Sequence, residues 1–172
     1  MSTRANVRRK LVELLKDKTD AADRVFQNRA RQLWPEELPA ILVYSRSETA
    51  REFDTAPRSI ERELQIAVEI VAAADEELDE TLDALAEQVE RRLMGDDTLG
   101  NLCSDIILTG TEMSISGEGE TLFGSAILNF RVLYHTEIYV QDAEITDLER
   151  IDVEWDLKND DNIDAVDTLD TT

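Results

Sequence analysis

Residues 60–70 read IERELQIAVEI, and this stretch decides the fold. Apolar and polar side chains alternate along it, and a period of two is typical of a strand with one face in a core and the other in water. The inward set is Ile60, Arg62, Leu64, Ile66, Val68 and Ile70, and the outward set is Glu61, Glu63, Gln65, Ala67 and Glu69. The stretch therefore predicts a β-sheet with one buried face, in which Arg62 is the one polar side chain on the inward side.

Two amphipathic helices lie on either side of this strand in the sequence. Val7, Leu11, Leu14 and Leu15 recur at helical spacing and predict a helix over residues 3–17. The second helix follows residue 75 and ends at Gly95, and its stripe consists of Leu78, Leu82, Leu85, Val89 and Leu93. Because this stripe is too short for sustained heptads, it favours packing on a sheet over a coiled coil.

Further strands are predicted at residues 24–26, 40–44, 104–116 and 126–135. Within residues 104–116, Gly110 indicates a β-bulge. Polar residues 45–58 predict a long loop or hairpin tip, and we expect a second loop over residues 110–124 around the turn GEGE.

The predicted fold class is α+β, with a small, largely antiparallel mixed sheet and two helices packed on one of its faces. We expect residues 1–136 to form this domain. Residues 137–172 are predicted to be an acidic extension with one extra alternating set, Ile151, Val153, Trp155 and Leu157.

The 172 residues include 18 Lys and Arg against 39 Asp and Glu, for a net charge of −21. Residues 1–31 nevertheless carry nine basic and four acidic side chains, so the chain has a basic N-terminal segment and is acidic after it. This balance argues against a nucleic-acid-binding domain and against docking on anionic lipid. Without an apolar leader or a run of about 20 apolar residues, the chain is expected to be soluble, cytoplasmic when made, and without a membrane partner.

The sequence contains no set of residues with the types and spacing of a catalytic site. His135 is the only histidine and Cys103 the only cysteine, so neither a zinc site nor a disulfide framework is expected. Cys103 has no basic neighbour in the sequence, which favours a buried structural thiol over a nucleophile. We therefore expect no catalytic residue, metal or cofactor. A small enzyme that uses paired carboxylates is disfavoured, because the adjacent pairs Asp96–Asp97 and Asp160–Asp161 lie in turn-like sequence.

The order of these elements resembles the tail terminator proteins of long-tailed bacteriophages, also called minor tail protein U-like proteins. The resemblance is carried by residues 9–15, 25–26, 38–44, 64–70, 82–90, 108–110 and 126–134. It implies a structural subunit that forms a six-membered ring on the head-proximal end of the tail tube, stops tube polymerisation and presents the surface for head docking. The implied partners are further copies of the chain, the tail tube protein, and head–tail connector or neck proteins. The implied location is the virion, with the host cytoplasm during assembly.

Two alternatives stay open. A head–tail joining or tail-completion ring has the same fold, and only its position in the particle differs. An acidic DNA mimic is a different class of protein, and the net charge of +5 over residues 1–31 counts against it.

Protein-interface residues are expected on the basic helix and on the polar segment 45–58. Long polar segments on a strand scaffold are where binding usually resides, and aromatic and arginine side chains dominate interface energies. The candidates are Arg8 and Arg9 on the helix, and Arg46, Arg51, Phe53 and Arg58 on the polar segment.

The outward face of residues 60–70 is a candidate lining for the lumen of the ring. Its Glu61, Glu63 and Glu69 would repel a phosphate backbone, whereas Lys and Arg would hold it through counterion release. We expect DNA to pass through such a ring without being bound specifically.

Overall fold

The structure is a computed structural model of the chain, and it describes residues 3–27, 33–74, 76–118, 121–138, 150–155 and 165–170. The chain divides into two compact units, Met1–Ile138 and Tyr139–Thr172.

The first unit is a five-stranded mixed sheet with two helices, which confirms the predicted α+β class. Its elements are α1 (Thr3–Leu15), β1 (Val25–Gln27), a 3-10 turn (Pro35–Glu37), β2 (Ala40–Thr55), β3 (Arg58–Ala73), α2 (Leu78–Leu93), β4 (Asp105–Glu118) and β5 (Thr121–Glu137). The strand order is β1-β2-β3-β5-β4, and each neighbouring pair is antiparallel except β1 and β2, which are parallel.

The core lies between the helices and one face of the sheet. The predicted inward side chains of β3 from Leu64 to Ile70 are buried, as are those of β5 around Phe130. The helices bury the expected stripes: Val7, Leu11 and Leu15 from α1, and Leu78, Leu82, Leu85, Val89 and Leu93 from α2. Since burial of one such side chain contributes about 1.5–3 kcal/mol, this shared cluster is the main source of stability.

The polar segment 45–58 is the end of a β-hairpin, so the hairpin alternative of the prediction is confirmed and the loop alternative is wrong. β2 runs on to Thr55 and stays paired with β3 as far as the pair Thr55 and Arg58. The ladder with β3 pairs the backbone groups of β2 that point toward β3, so strand structure here does not require an apolar face. We call residues 45–62 the β2–β3 arm. The predicted second loop is strand as well, since β4 and β5 account for residues 110–118 and 121–124.

The bulge predicted at Gly110 is confirmed. The register between β4 and β5 shifts between Leu108 and Gly110, so Thr109 is the extra residue. The Thr109 hydroxyl donates a hydrogen bond to the backbone oxygen of Asn129 at 2.9 Å.

The two hairpin turns of this sheet lie at opposite ends of its strands. Ser59, next to the β2–β3 turn, pairs with Glu137 at the end of β5. Ala73 at the other end of β3 pairs with Phe123, close to the start of β5. The arm and the β4–β5 hairpin therefore offer two separate surfaces.

A glycine on β5 permits the close approach of α2. A Cβ added at Gly124 would lie 2.5–2.9 Å from three side-chain carbons of Leu78, a buried residue in the first turn of α2. We expect Gly124→Ala to lower the free energy of unfolding by about 1–3 kcal/mol, since the packed leucine has to shift. Urea denaturation measures this loss.

Gly110→Ala is the matched control for that substitution, because nothing lies within 4 Å of a Cβ added there. We expect it to change the free energy of unfolding by less than about 0.5 kcal/mol. Equal losses in the two variants would contradict the packing explanation.

The second unit contains an antiparallel hairpin of β6 (Arg150–Trp155) and β7 (Ala165–Asp170). β6 covers the predicted set as far as Trp155, and Leu157 lies outside the described residues. β7 was not predicted, because its short sequence AVDTLD carries two aspartates and gives little alternation.

Candidate protein–protein interface

The tip of the β2–β3 arm presents an aromatic ring to solvent. All side chains from residue 51 to residue 58 are exposed. Phe53 is 59% exposed and lies at the register shift between Glu52 and Asp54. Because aromatic and arginine side chains dominate the binding energy of protein interfaces, Phe53 is a candidate anchor.

The Phe53 ring is held against β5. Its centroid lies 4.2 Å from that of the His135 ring, and the two rings are tilted by 53°. His135 Nε2 lies 3.5 Å from Glu61 Oε2, and His135 Nδ1 lies 3.1 Å from Ser104 Oγ. Arg51 Nε donates to Glu61 Oε1 at 2.6 Å on the same side of the sheet. These contacts across three strands fix the direction in which Phe53 points.

The arginines predicted on segment 45–58 lie at different levels of the arm. Arg51 is paired with Glu61, and Arg58 at the turn has a side chain that is 60% exposed, 4.0 Å from Glu52. Arg46 lies near the base of the arm, with its guanidinium carbon 5.8 Å from the centroid of the Tyr44 ring. The structure thus brings Arg51 and Arg58 together with Phe53, and places Arg46 apart from them.

The predicted arginines of α1 are not part of this tip. Arg8 is half-buried, and its Nη1 donates to Ser45 Oγ at 2.8 Å, which ties α1 to the base of the arm. Arg9 is exposed, and its Nη2 donates to Asn6 Oδ1 at 2.8 Å. Arg8 therefore stabilises the subunit itself, and of the two only Arg9 is exposed to a partner.

Glu48 is a buried carboxylate that the sequence analysis missed. Its side chain is only 8% exposed. Its Oε1 accepts from Arg62 Nη1 at 2.7 Å and from the Tyr134 hydroxyl at 3.2 Å, and Arg4 Nε lies 3.1 Å from Oε2. Arg62 Nε also donates to Thr136 Oγ1 at 2.9 Å. This cluster explains why Arg62 lies on the inward side of β3. A single arginine among inward apolar residues could have predicted a buried acidic partner from the sequence, because a buried charge needs a partner of opposite charge.

The acidic residues predicted for the lumen share the sheet face opposite the helices, as the alternation requires. These acidic residues are half-buried. The face also carries Arg51 from β2 and Arg131 from β5, so it presents both negative and positive side chains. Glu61 is 14% exposed, and Glu63 accepts a hydrogen bond from Gln65 at 2.8 Å. A shallow groove of about 490 Å³ runs here, lined by Thr49, Ala50, Arg51, Glu61, Glu63, Arg131 and Leu133. This face therefore carries arginines of the neighbouring strands among its carboxylates.

The family model described as phage minor tail protein U matches residues 2–134. The chain belongs to this family. The match spans the β2–β3 arm and includes Glu48, Arg62 and Tyr134 of the buried cluster. A search of curated proteins finds no match to the chain.

A phage minor tail protein is a structural component of the virion and contacts other tail proteins. In the part of this minor tail protein that the structure describes, no group of three or more His, Cys, Asp and Glu side chains could hold a metal ion. Among the described residues, no helix is long and apolar enough to cross a membrane.

The raised pKa values of two buried groups lead us to expect that this minor tail protein loses stability at alkaline pH. Burial, together with the charges of Asp96 and Asp105, raises the pKa of the Cys103 thiol to about 11. Burial and then the Glu48 carboxylate raise the pKa of Tyr134 to about 12. Because the unfolded chain loses these protons first, stability is retained below about pH 9 and falls between about pH 9 and about pH 12.

Urea denaturation at several pH values between those limits measures this fall. Cys103→Ala removes the thiol, so we expect its stability to fall less steeply than that of the unsubstituted protein between about pH 9 and about pH 11. Parallel curves for the two proteins would show that the thiol is not the titrating group.

Proposed function

We propose that this minor tail protein is a tail terminator, which caps the head-proximal end of the tail tube as a homohexameric ring. The ring stops tube polymerisation and forms the surface on which the head connector or neck docks. The observation that carries the proposal is the β2–β3 arm, a paired hairpin whose exposed tip holds Phe53 and Arg58.

The arm suits this role because it is ordered before binding. Its backbone is fixed by the β2–β3 ladder, and Phe53 is oriented by His135. A preordered anchor loses less conformational entropy on association than a flexible loop does. We assign this tip to the contact with the tail tube protein, with Phe53 inserted into an apolar pocket and Arg58 at the rim.

The charge distribution supports the ring and its open lumen. Closed rings use heterologous contacts, in which one patch meets a different patch on the next copy. Arg9 on α1 and Lys16 directly after it are exposed basic side chains, whereas residues after 31 are strongly acidic. In our proposal the face with Glu61, Glu63 and Glu69 lines the lumen, where its carboxylates keep DNA from binding as the genome passes.

Electron microscopy of particles assembled without this protein tests the proposal. We expect tubes that exceed the normal tail length or end raggedly, because nothing stops their growth. Tails of normal length that fail to join heads would instead support a head–tail joining ring. Intact, infectious particles would contradict both functions.

A further inference from the structure

A second exposed aromatic side chain lies before the other end of β2. Trp34 is 64% exposed, which is the largest exposed fraction among the large hydrophobic side chains described. It comes six residues before Ala40, and a segment of that length spans about 20 Å at most. β2 itself runs for 16 residues, which is about 50 Å. Trp34 therefore lies about 25 Å or more from the turn of the β2–β3 arm.

The backbone that carries Trp34 is fixed by the 3-10 turn. The Trp34 N–H donates to Glu37 Oε2 at 2.9 Å, and the Trp34 carbonyl accepts from the Glu37 N–H at 2.9 Å. The Leu38 N–H donates to the Pro35 carbonyl at 3.3 Å, and the proline ring holds its own φ. Because this backbone is ordered before binding, an association through Trp34 loses less conformational entropy than one through a flexible loop.

Acidic side chains lie at this end of the sheet. Glu36 is exposed two residues after Trp34. α2 begins at the same end, because its Leu78 packs against Gly124 where β3 ends and β2 begins. The exposed acidic residues around the start of α2 are Glu76, Glu77, Asp79 and Glu80. The basic side chain next to this turn, Arg24, is half-buried, and its Nε donates to the Pro39 carbonyl at 2.8 Å. Trp34 is therefore flanked by negative charge.

We propose that Trp34 anchors the head-side partner of the ring, the connector or neck protein, in an apolar pocket whose rim carries lysine or arginine. This inference rests on the proposed function and deepens it, because it names the residues of the head-docking surface. If the arm tip meets the tube, docking of the head requires a second surface at the opposite end of the strands. Tryptophan is among the residues most enriched at interface hot spots, and Glu36 complements a basic rim.

Joining of purified tails to tail-less heads, counted by electron microscopy, tests this contact. The tails are assembled with the full-length variant Trp34→Ala. We expect them to have normal length, because the arm is unchanged, and to bind heads about thirtyfold more weakly or worse, as loss of one hot spot predicts. Trp34→Phe keeps an aromatic anchor and should join heads better than Trp34→Ala. Met94→Ala, at an exposed methionine after α2, is the matched control and should join heads normally.

Glu36→Lys tests the chemistry of the partner. The new positive charge would face a basic rim, so we expect joining at low salt to fall by about tenfold or more, and added salt to narrow the difference. Asp83→Lys, at an exposed acidic position further along α2, is the control and should cause a smaller loss. Normal joining by Glu36→Lys tails at low salt would overturn the basic rim.

The outcomes separate this inference from the terminator function. Circular dichroism checks that the variants are folded. Folded Trp34→Ala tails that join heads normally would overturn the inference and leave the terminator proposal standing. Overlong Trp34→Ala tails would place Trp34 against the tube and would overturn it as well. Tails of normal length made without the protein would contradict the terminator function, whereas the joining assay with Trp34→Ala would still decide the head contact.

Discussion

Tails assembled with the double variant Phe53→Ala and Arg58→Ala are expected to lose length control, although the variant folds normally. Both side chains are largely exposed, so their removal should change the free energy of unfolding by less than about 0.5 kcal/mol. At an interface, by contrast, an anchor of this kind contributes about 2 kcal/mol or more. Two such losses would weaken binding to the tube by about a thousandfold.

Complementation of particles that lack the protein, with tail length measured by electron microscopy, tests this expectation. The matched control is Arg91→Ala with Met94→Ala, which removes an exposed arginine and an exposed methionine from the end of α2. The control should restore normal tails. Normal tail length with the Phe53 and Arg58 variant would show that the arm does not contact the tube.

A substitution at His135, which contacts Phe53, is expected to weaken capping to an intermediate degree in the same experiment. His135→Ala leaves Phe53 in place but removes the ring that orients it. We expect weaker capping than in the unsubstituted protein and stronger capping than in Phe53→Ala, because the anchor remains but has to be ordered on binding.

Glu48→Ala is expected to cause the largest loss of stability among the charged positions described. Its removal leaves the half-buried Arg62 and the buried Tyr134 hydroxyl without their acceptor. Losing the hydrogen bonds to a charged group at this half-buried site costs about 1.5–3 kcal/mol. For a protein of this size, that loss lowers the melting temperature by about 3–12 °C.

Glu52→Ala is the matched control, since Glu52 lies on the same strand but is 55% exposed and 4.0 Å from Arg58. An exposed pair contributes about 1 kcal/mol at most. Thermal unfolding followed by circular dichroism compares the two variants. A similar change in both would show that the Glu48 cluster does not hold the base of the arm.

The sequence by itself determined that this protein has a layer of helices packed on one face of a β-sheet. Residues 60–70 alternate with a period of two, and Leu78 to Leu93 form a helical stripe, so each segment had one way to bury its apolar side. Other local features of the sequence supported the family, the bulge at Gly110 and the burial of Cys103.

Only the tertiary structure decided the β2–β3 arm and its contacts. Segment 45–58 is polar on both faces, so its side chains carry no period that separates a strand from a loop. Its strand structure comes from hydrogen bonds to β3. The pairing of Glu48 with Arg62 and of Phe53 with His135 joins residues that are distant in the chain. A periodic pattern records which side of a segment meets the core, but it does not record which polar side chains meet one another, because that depends on the register between strands.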